Sequence, residues 1–432
     1  MEPLGQLVVN FQKPDALHQL MTTIPDIIPR GLMNNGNVCF MNSILQVLVN
    51  CTPFYNLMEL IHKNTVKRFS ETHSTPLLDT LVELFQEFKL SVNQKHLNNA
   101  SVPTANGNVN TSKKVFGESY MAEQFYSIIY NHKRFSHLQR GIQEDAEEFL
   151  GYLLEVLHEE FVESIKQDGG LSKLSVIPNT TEEYVQDTED GYDSLTTTSS
   201  SLSNNEWVEV GPAKQKVTIN RSTKAEWSPI TQLFGGQLRS VLKVPGQKPS
   251  ITVDPFQHVQ LDISEDSVNT IEDAFKHLSE RESIPSYKTN SGEEVEAHKQ
   301  TLLDELPPVL IIHLKRFTYT NDGRIKKLTK EIGYNIDLEI PAECMTASKR
   351  TGTRSRKYKL FGAVYHHGIS ATTGHYTVDL KWQTKNIWVN VDDTTIRPVA
   401  EKNVVHVNGT TGKDNENWDR YRTAYILLYI KV

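Results

Sequence analysis

Cysteine is scarce in this 432-residue chain: Cys39, Cys51 and Cys344 are the full set, and no CxxC pair occurs. An odd, irregularly spaced set argues against a disulfide framework and for a reducing compartment. Without CxxC pairs, a cysteine zinc site is excluded as well. Long apolar runs are missing too, since Val309–Ile312 and Tyr425–Ile430 fall far short of a bilayer-spanning helix. The opening residues, MEPLGQ, lack the basic and apolar regions of a secretory signal. Nor is positive charge in excess. A formal net charge of −8 leaves no footprint for nucleic acid, and the one basic run, 349–357, reads as a solvated loop. The expectation is a soluble intracellular protein of the cytoplasm and also of the nucleus, without nucleic-acid or membrane partners.

What is present changes along the chain. Residues 1–30 carry no strong pattern and read as a partly ordered arm. From 31 to 163 apolar residues recur at helical spacing, as in Leu77, Leu78, Leu81, Leu84, Phe85 and Phe88 after the Thr75-Pro76 start. A second such stripe, Ala146, Phe149, Leu150, Leu153, Leu154 and Leu157, predicts a helix beginning near Gln143. The polar stretch 91–114 between them reads as an exposed, mobile loop. Residues 164–226 are acidic and Ser/Thr-rich with little to bury, the composition of a disordered insertion. From 227 to 432 strand signals dominate, interrupted by one helix at about 270–282. Helices first and mostly antiparallel strands after describe an α+β protein with a cleft available between its halves.

Two segments carry chemistry. In GLMNNGNVCFMNSILQ (31–46) an Asn/Gly loop ends at Cys39, where an amphipathic helical pattern begins. A thiol at a helix start meets unpaired N–H groups and the positive end of the peptide dipoles, which favour thiolate. A lone cysteine is more often a small buried hydrophobe, so Cys39 needs a base and an orienting group. His375, after the loop 366–374 that could serve as a lid, supplies the base at the start of an alternating strand. Asp392 and Asp393 end the following strand. A two-residue hairpin loop over 383–384 would set Asp392 directly opposite His375; a three-residue loop would select Asp393. Thiolate attack by Cys39, proton transfer by His375 and orientation by an aspartate make an acyl-transfer set. Asn34 and the Cys39 N–H are candidate oxyanion donors.

These residues resemble a family. The run 31–46 is similar to the cysteine box of the ubiquitin-specific proteases, and Tyr365–Leu380, with Gly374, His375 and Tyr376, to their histidine box. QEDAEEFL (143–150), FQHVQLDI (256–263), LPPVLIIHLKRF (306–317) and RTAYILLY (422–429) resemble further family segments in the same order. The resemblance implies a papain-like cysteine protease core over 31–431. Its helical thumb is 31–163, the insertion is 164–226, and the antiparallel-β fingers and palm are 227–432. It implies Cys39 as nucleophile, His375 as base, Asn34 as oxyanion donor and Asp392 as third member, with Asp393 supporting or substituting. Gln143, Asp145 and Glu148 would contact the ubiquitin tail. The implied partners are ubiquitin and ubiquitinated proteins; a monomer is the expectation, and the missing cysteine pairs lead us to expect no cofactor or metal. A catalytically silent ubiquitin-binding scaffold and an isopeptidase for another ubiquitin-like modifier are the alternatives. Two departures stand out: the finger strands (about 234–260) lack the zinc-binding cysteines many members carry, and Val38 stands where Thr is common.

Overall fold

The computed structural model describes residues 3–65, 75–90, 115–168, 182–183, 197–198, 208–210, 218–222, 226–289, 291–319, 323–350, 352–368, 373–405 and 422–432. The first half is helical, with helices at Cys39–Val49, Thr52–Asn64, Pro76–Gln86, Glu123–Asn131 and Ala146–Gln167. The Cys39 helix is not amphipathic as expected: all of its residues are buried. Its polar side chains are tied internally, Asn42 to Asp393, Ser43 to the Phe40 carbonyl and Gln46 to the Arg30 carbonyl. The helix lies on the central sheet at Gly362, where a Cβ would fall 2.3 Å from Val47 Cγ2.

The long helix starts at Ala146 rather than near Gln143, because Asp145 caps it by accepting from Glu147 N at 2.7 Å. Further along, Glu160 reaches sideways and accepts from Leu77 N (3.0 Å) and Leu78 N (2.7 Å), capping the Pro76–Gln86 helix from outside. Burial, aided by nearby Asp79, pushes the Glu160 carboxyl from its ordinary 4.5 up to about 7 despite those two N–H donors. A raised folded-state pKa gives stability that is full below the ordinary value and is lost as pH rises through about 7. The stability of the native protein relative to Glu160→Gln, which does not titrate, is therefore expected to fall between pH 5 and pH 8. The change is about 3 kcal/mol at most, and urea unfolding at the two pH values measures it.

The segment read as a partly ordered arm is helical. Helices Leu4–Val9 and Pro14–Thr22 bury Leu7, Val8 and Leu20, and the 3-10 turn Asn10–Gln12 between them buries Phe11. They are anchored by Gly5 N on Asp168 (2.8 Å) and by Gln232 on the Phe11 carbonyl (2.6 Å). Both helices are too short for a periodic signal to build up.

Among the described residues, two large sheets and the small ribbon Phe317–Tyr319 with Ile325–Lys327 make most of the second half. The larger has eight strands, and its main path runs Thr395–Val399, Ile387–Asp392, His375–Trp382, Lys357–His367, Thr423–Lys431, Val309–Lys315, Val259–Asp262. One face packs on the helices; the other carries a second core with the helix Ile271–Leu278. The smaller sheet runs Arg281–Lys288, Glu294–Glu305, Gly236–Lys243, Ser250–Phe256, Thr218–Ser222, Val208–Val210. None of the three cysteines lies in it. Its strands are joined by ladders and by cross-strand contacts such as Ser240–Thr301 at 2.9 Å.

The expected disordered insertion is corrected at several points. Residues 164–167 belong to the long helix, 182–183 pair with 197–198, and Thr218–Ser222 joins the smaller sheet in parallel with Ser250–Phe256. The rest of 169–225, the loop 91–114 and residues 369–372 of the expected lid lie outside the described residues. In the basic run, Arg356 is buried and donates to the Ile340 carbonyl, so that position is structural rather than solvated.

Candidate active site

Gly36 (φ +103°) and Asn37 (φ +60°) turn the loop that delivers Cys39 to the first position of its helix. Asn37 Nδ2 pins this loop on the Gly141 carbonyl at 2.8 Å. The thiol is buried beside His375, near enough to act on its titration. His375 opens its strand, and its Nε2 meets Asp392 Oδ1 at 2.6 Å, which leaves Nδ1 for the thiol. The Asp392 bond, then the Cys39 thiol, push the imidazole from 6.5 up to about 10 against the opposing effect of burial. In return, the His375 bond holds the Asp392 carboxyl below its usual range. The group is built to keep a proton on His375 beside the sulfur.

The hairpin reaches this geometry by neither expected register. Trp382 pairs with Ile387 across a four-residue turn, 383–386, that needs Asn386 at φ +52°. Val378 faces Val391; continuing that register sets Asp392 opposite Thr377, so His375 and Asp392 meet diagonally. Asp393 turns away in a left-handed conformation (φ +46°) and serves the other side. Its Oδ2 accepts from Asn34 Nδ2 at 2.8 Å and its Oδ1 from Asn42 Nδ2 at 2.9 Å. Asn34 Oδ1 accepts from Val38 N at 2.9 Å, so the side-chain amide is fixed at both ends beside the nucleophile loop. One amide hydrogen remains for another acceptor. Donor atoms of His375, Asp392 and Asp393 lie within 4.8 Å of one another, close enough to hold a cation. All three residues are already engaged in the hydrogen bonds above.

The three expected tail contacts separate. Gln143 Oε1 accepts from Gly374 N (3.2 Å), and Asp145 Oδ2 accepts from Tyr425 OH (2.6 Å), so both span the seam between helices and sheet. Burial pushes the Asp145 carboxyl up to about 6. Glu148 is exposed one step further along the helix. Its neighbour Glu147, not singled out from the sequence, meets His258 Nε2 at 2.7 Å, Gln260 Nε2 at 3.0 Å and His313 Nδ1 at 3.5 Å. Burial opposes ionisation of Glu147, but the His258 bond and the His313 charge win and hold its carboxyl low. The only available signal was that these residues lie inside three segments already matched.

The family model described as ubiquitin carboxyl-terminal hydrolase matches residues 30–429. Ubiquitin carboxyl-terminal hydrolase 3 of Saccharomyces cerevisiae is 35% identical over all of this chain and 54% of its own length. The probable hydrolase 3 of Schizosaccharomyces pombe is 39% identical over 94% of the chain and 74% of its own length. Hydrolase 10 of Rattus norvegicus is 36% identical over 94% of the chain. The chain spans about half the length of the first and third of these relatives (54% and 48%). Among solved structures, a chain of the SAGA Ubp8/Sgf11/Sus1/Sgf73 DUB module bound to ubiquitin aldehyde shares the fold. It has a TM-score of 0.60 and 20% identity, with 95% of this chain and 70% of that one covered. This chain belongs to the ubiquitin carboxyl-terminal hydrolase family.

Proposed function

We propose that the chain is a thiol-dependent deubiquitinase that cleaves the bond after the C-terminal glycine of ubiquitin, releasing it from conjugated proteins. The observation that carries this reading is the Cys39–His375–Asp392 relay, with His375 held protonated beside the sulfur. Cys39 thiolate attacks the glycine carbonyl carbon; a C–S bond forms as the carbonyl electron pair moves to oxygen. Asn34 and the Cys39 N–H are the donors for that oxyanion. Collapse breaks the C–N bond, and the departing lysine amine takes the proton from His375. The neutral imidazole then removes a proton from water, which hydrolyses the thioester and regenerates the pair. Gln143 and Asp145 fit the role of tail contacts from their place on the seam. Three unpaired, buried cysteines support a reducing, intracellular setting.

A fluorogenic C-terminal ubiquitin amide tests the reading. Turnover is expected from the native chain and is expected to vanish to background in Cys39→Ala, with ubiquitin binding retained. Binding without turnover by the native chain would identify a silent scaffold. Preferential labelling by an electrophilic probe of another modifier would move the substrate class.

A further inference from the structure

We propose that Lys327, which the relay itself does not use, is a positioning residue that holds the root of the His375 loop in register. The proposal rests on the catalytic reading above. Lys327 ends the short strand Ile325–Lys327 and is only 4% exposed. Its Nζ donates to two backbone carbonyls, His366 O at 2.9 Å and Gly368 O at 2.8 Å. The residue between them, His367, is the cross-strand partner of His375 and the last pair of that ladder. The ammonium therefore grips the peptide groups on both sides of the position that faces the base.

The surrounding packing shows what this grip does. Gly368 takes φ +104° as the chain leaves the strand. On the return leg a Cβ at Gly374 would lie 2.3 Å from His366 Nε2 and 2.4 Å from His367 O. The two roots of the loop thus touch with no side chain between them, and any drift of 366–368 passes directly to 374–375. His375 is the first residue of its strand, where ladders fray most readily. Its diagonal bond to Asp392 has no slack at 2.6 Å. Burying an ammonium is costly, and here burial, then the Arg316 guanidinium, pushes Lys327 down to about 7. A methionine would fill the same space without that cost, so the donors are what the position requires.

Native protein, Lys327→Met, Lys327→Arg and Cys39→Ala are compared on the ubiquitin amide, with thermal melts and ubiquitin affinity measured alongside. Alkylation of Cys39 by iodoacetamide across pH 5–10 is read by mass spectrometry. Lys327→Met is expected to lose about 10²-fold in kcat with KM changed less than about threefold, the cost of misplacing a reacting group by about 1 Å. Its Cys39 should be alkylated more slowly than in the native protein at neutral pH, and Lys327→Arg, which keeps two donors, should recover most of kcat. A Lys327→Met kcat within about threefold of native overturns the proposal. So does a loss confined to KM, or a variant that unfolds or loses affinity in parallel, since each makes the lysine structural or dispensable. Absence of native turnover would instead sink the catalytic reading itself.

Discussion

Asparagine at position 392 is expected to lower kcat on the ubiquitin amide by about 10³-fold, the scale of a general acid–base contribution, while leaving the melting temperature nearly unchanged. The carboxylate is the largest single cause of the raised His375 pKa, ahead of the thiol. Without it the imidazole titrates nearer its ordinary 6.5, and its position beside Cys39 is no longer imposed. The sign follows directly. His375 is protonated below its pKa, so the alkaline limb of the kcat/KM profile, near pH 10 in the native protein, moves to lower pH in Asp392→Asn. Asparagine at 393 is expected to behave differently. It disturbs the acceptors of Asn34 and Asn42, so kcat falls by about 10²-fold at most, the scale of one oxyanion donor, with the alkaline limb in place. Equal losses and equal pH profiles in the two variants would show that the adjacent aspartates are interchangeable.

Alanine at position 379 is expected to destabilise the fold by about 3–5 kcal/mol, the range for breaking a buried ion pair from one side. Asp379 is fully buried on the strand that begins at His375. Its Oδ2 accepts from Arg422 Nη2 at 2.5 Å and its Oδ1 from Asn390 Nδ2 at 2.8 Å. The same guanidinium sits 3.5 Å over the Tyr365 ring, and the Tyr365 hydroxyl meets Tyr334 OH at 2.8 Å. Removing the carboxylate strands a buried cation and an amide at once. Asp379→Asn keeps one acceptor and should lose less. Urea unfolding of both variants measures the difference, and a loss below about 1 kcal/mol for alanine would place the pair among weak surface contacts.

Much of the site was legible because its residues sit in short local patterns: a thiol at a helix start, a base at a strand start, two aspartates at a strand end. What local pattern could not supply was the turn. Four residues with a left-handed Asn386 replaced the expected two or three, yet the contact survived because a diagonal neighbour shares the same face. The role of Asp393 was equally hidden, since only its positive φ sends it toward Asn34 while Asp392 faces His375. Glu147, His258 and His313 meet only through tertiary packing. In the smaller sheet, Ser250–Phe256, Arg281–Lys288 and Glu294–Glu305 have little pattern of their own to mark their ends. They bury few side chains, so alternation is faint. Short apolar stretches hid the two N-terminal helices for the opposite reason: a buried face existed, but over too few residues to repeat.

The strand Thr423–Lys431 lies in the middle of the larger sheet, between Lys357–His367 and Val309–Lys315. It also carries Tyr425, which closes on Asp145 across the seam. A ribosome adds this piece after every other part of the site has been made. Until it is inserted, the sheet that holds His375 is split into two edges with unpaired backbone groups. The thiol is therefore expected to gain its base only once Thr423–Lys431 is in place. A chain cut before Thr423 would keep Cys39, His375 and Asp392 and is expected to turn over none of the ubiquitin amide.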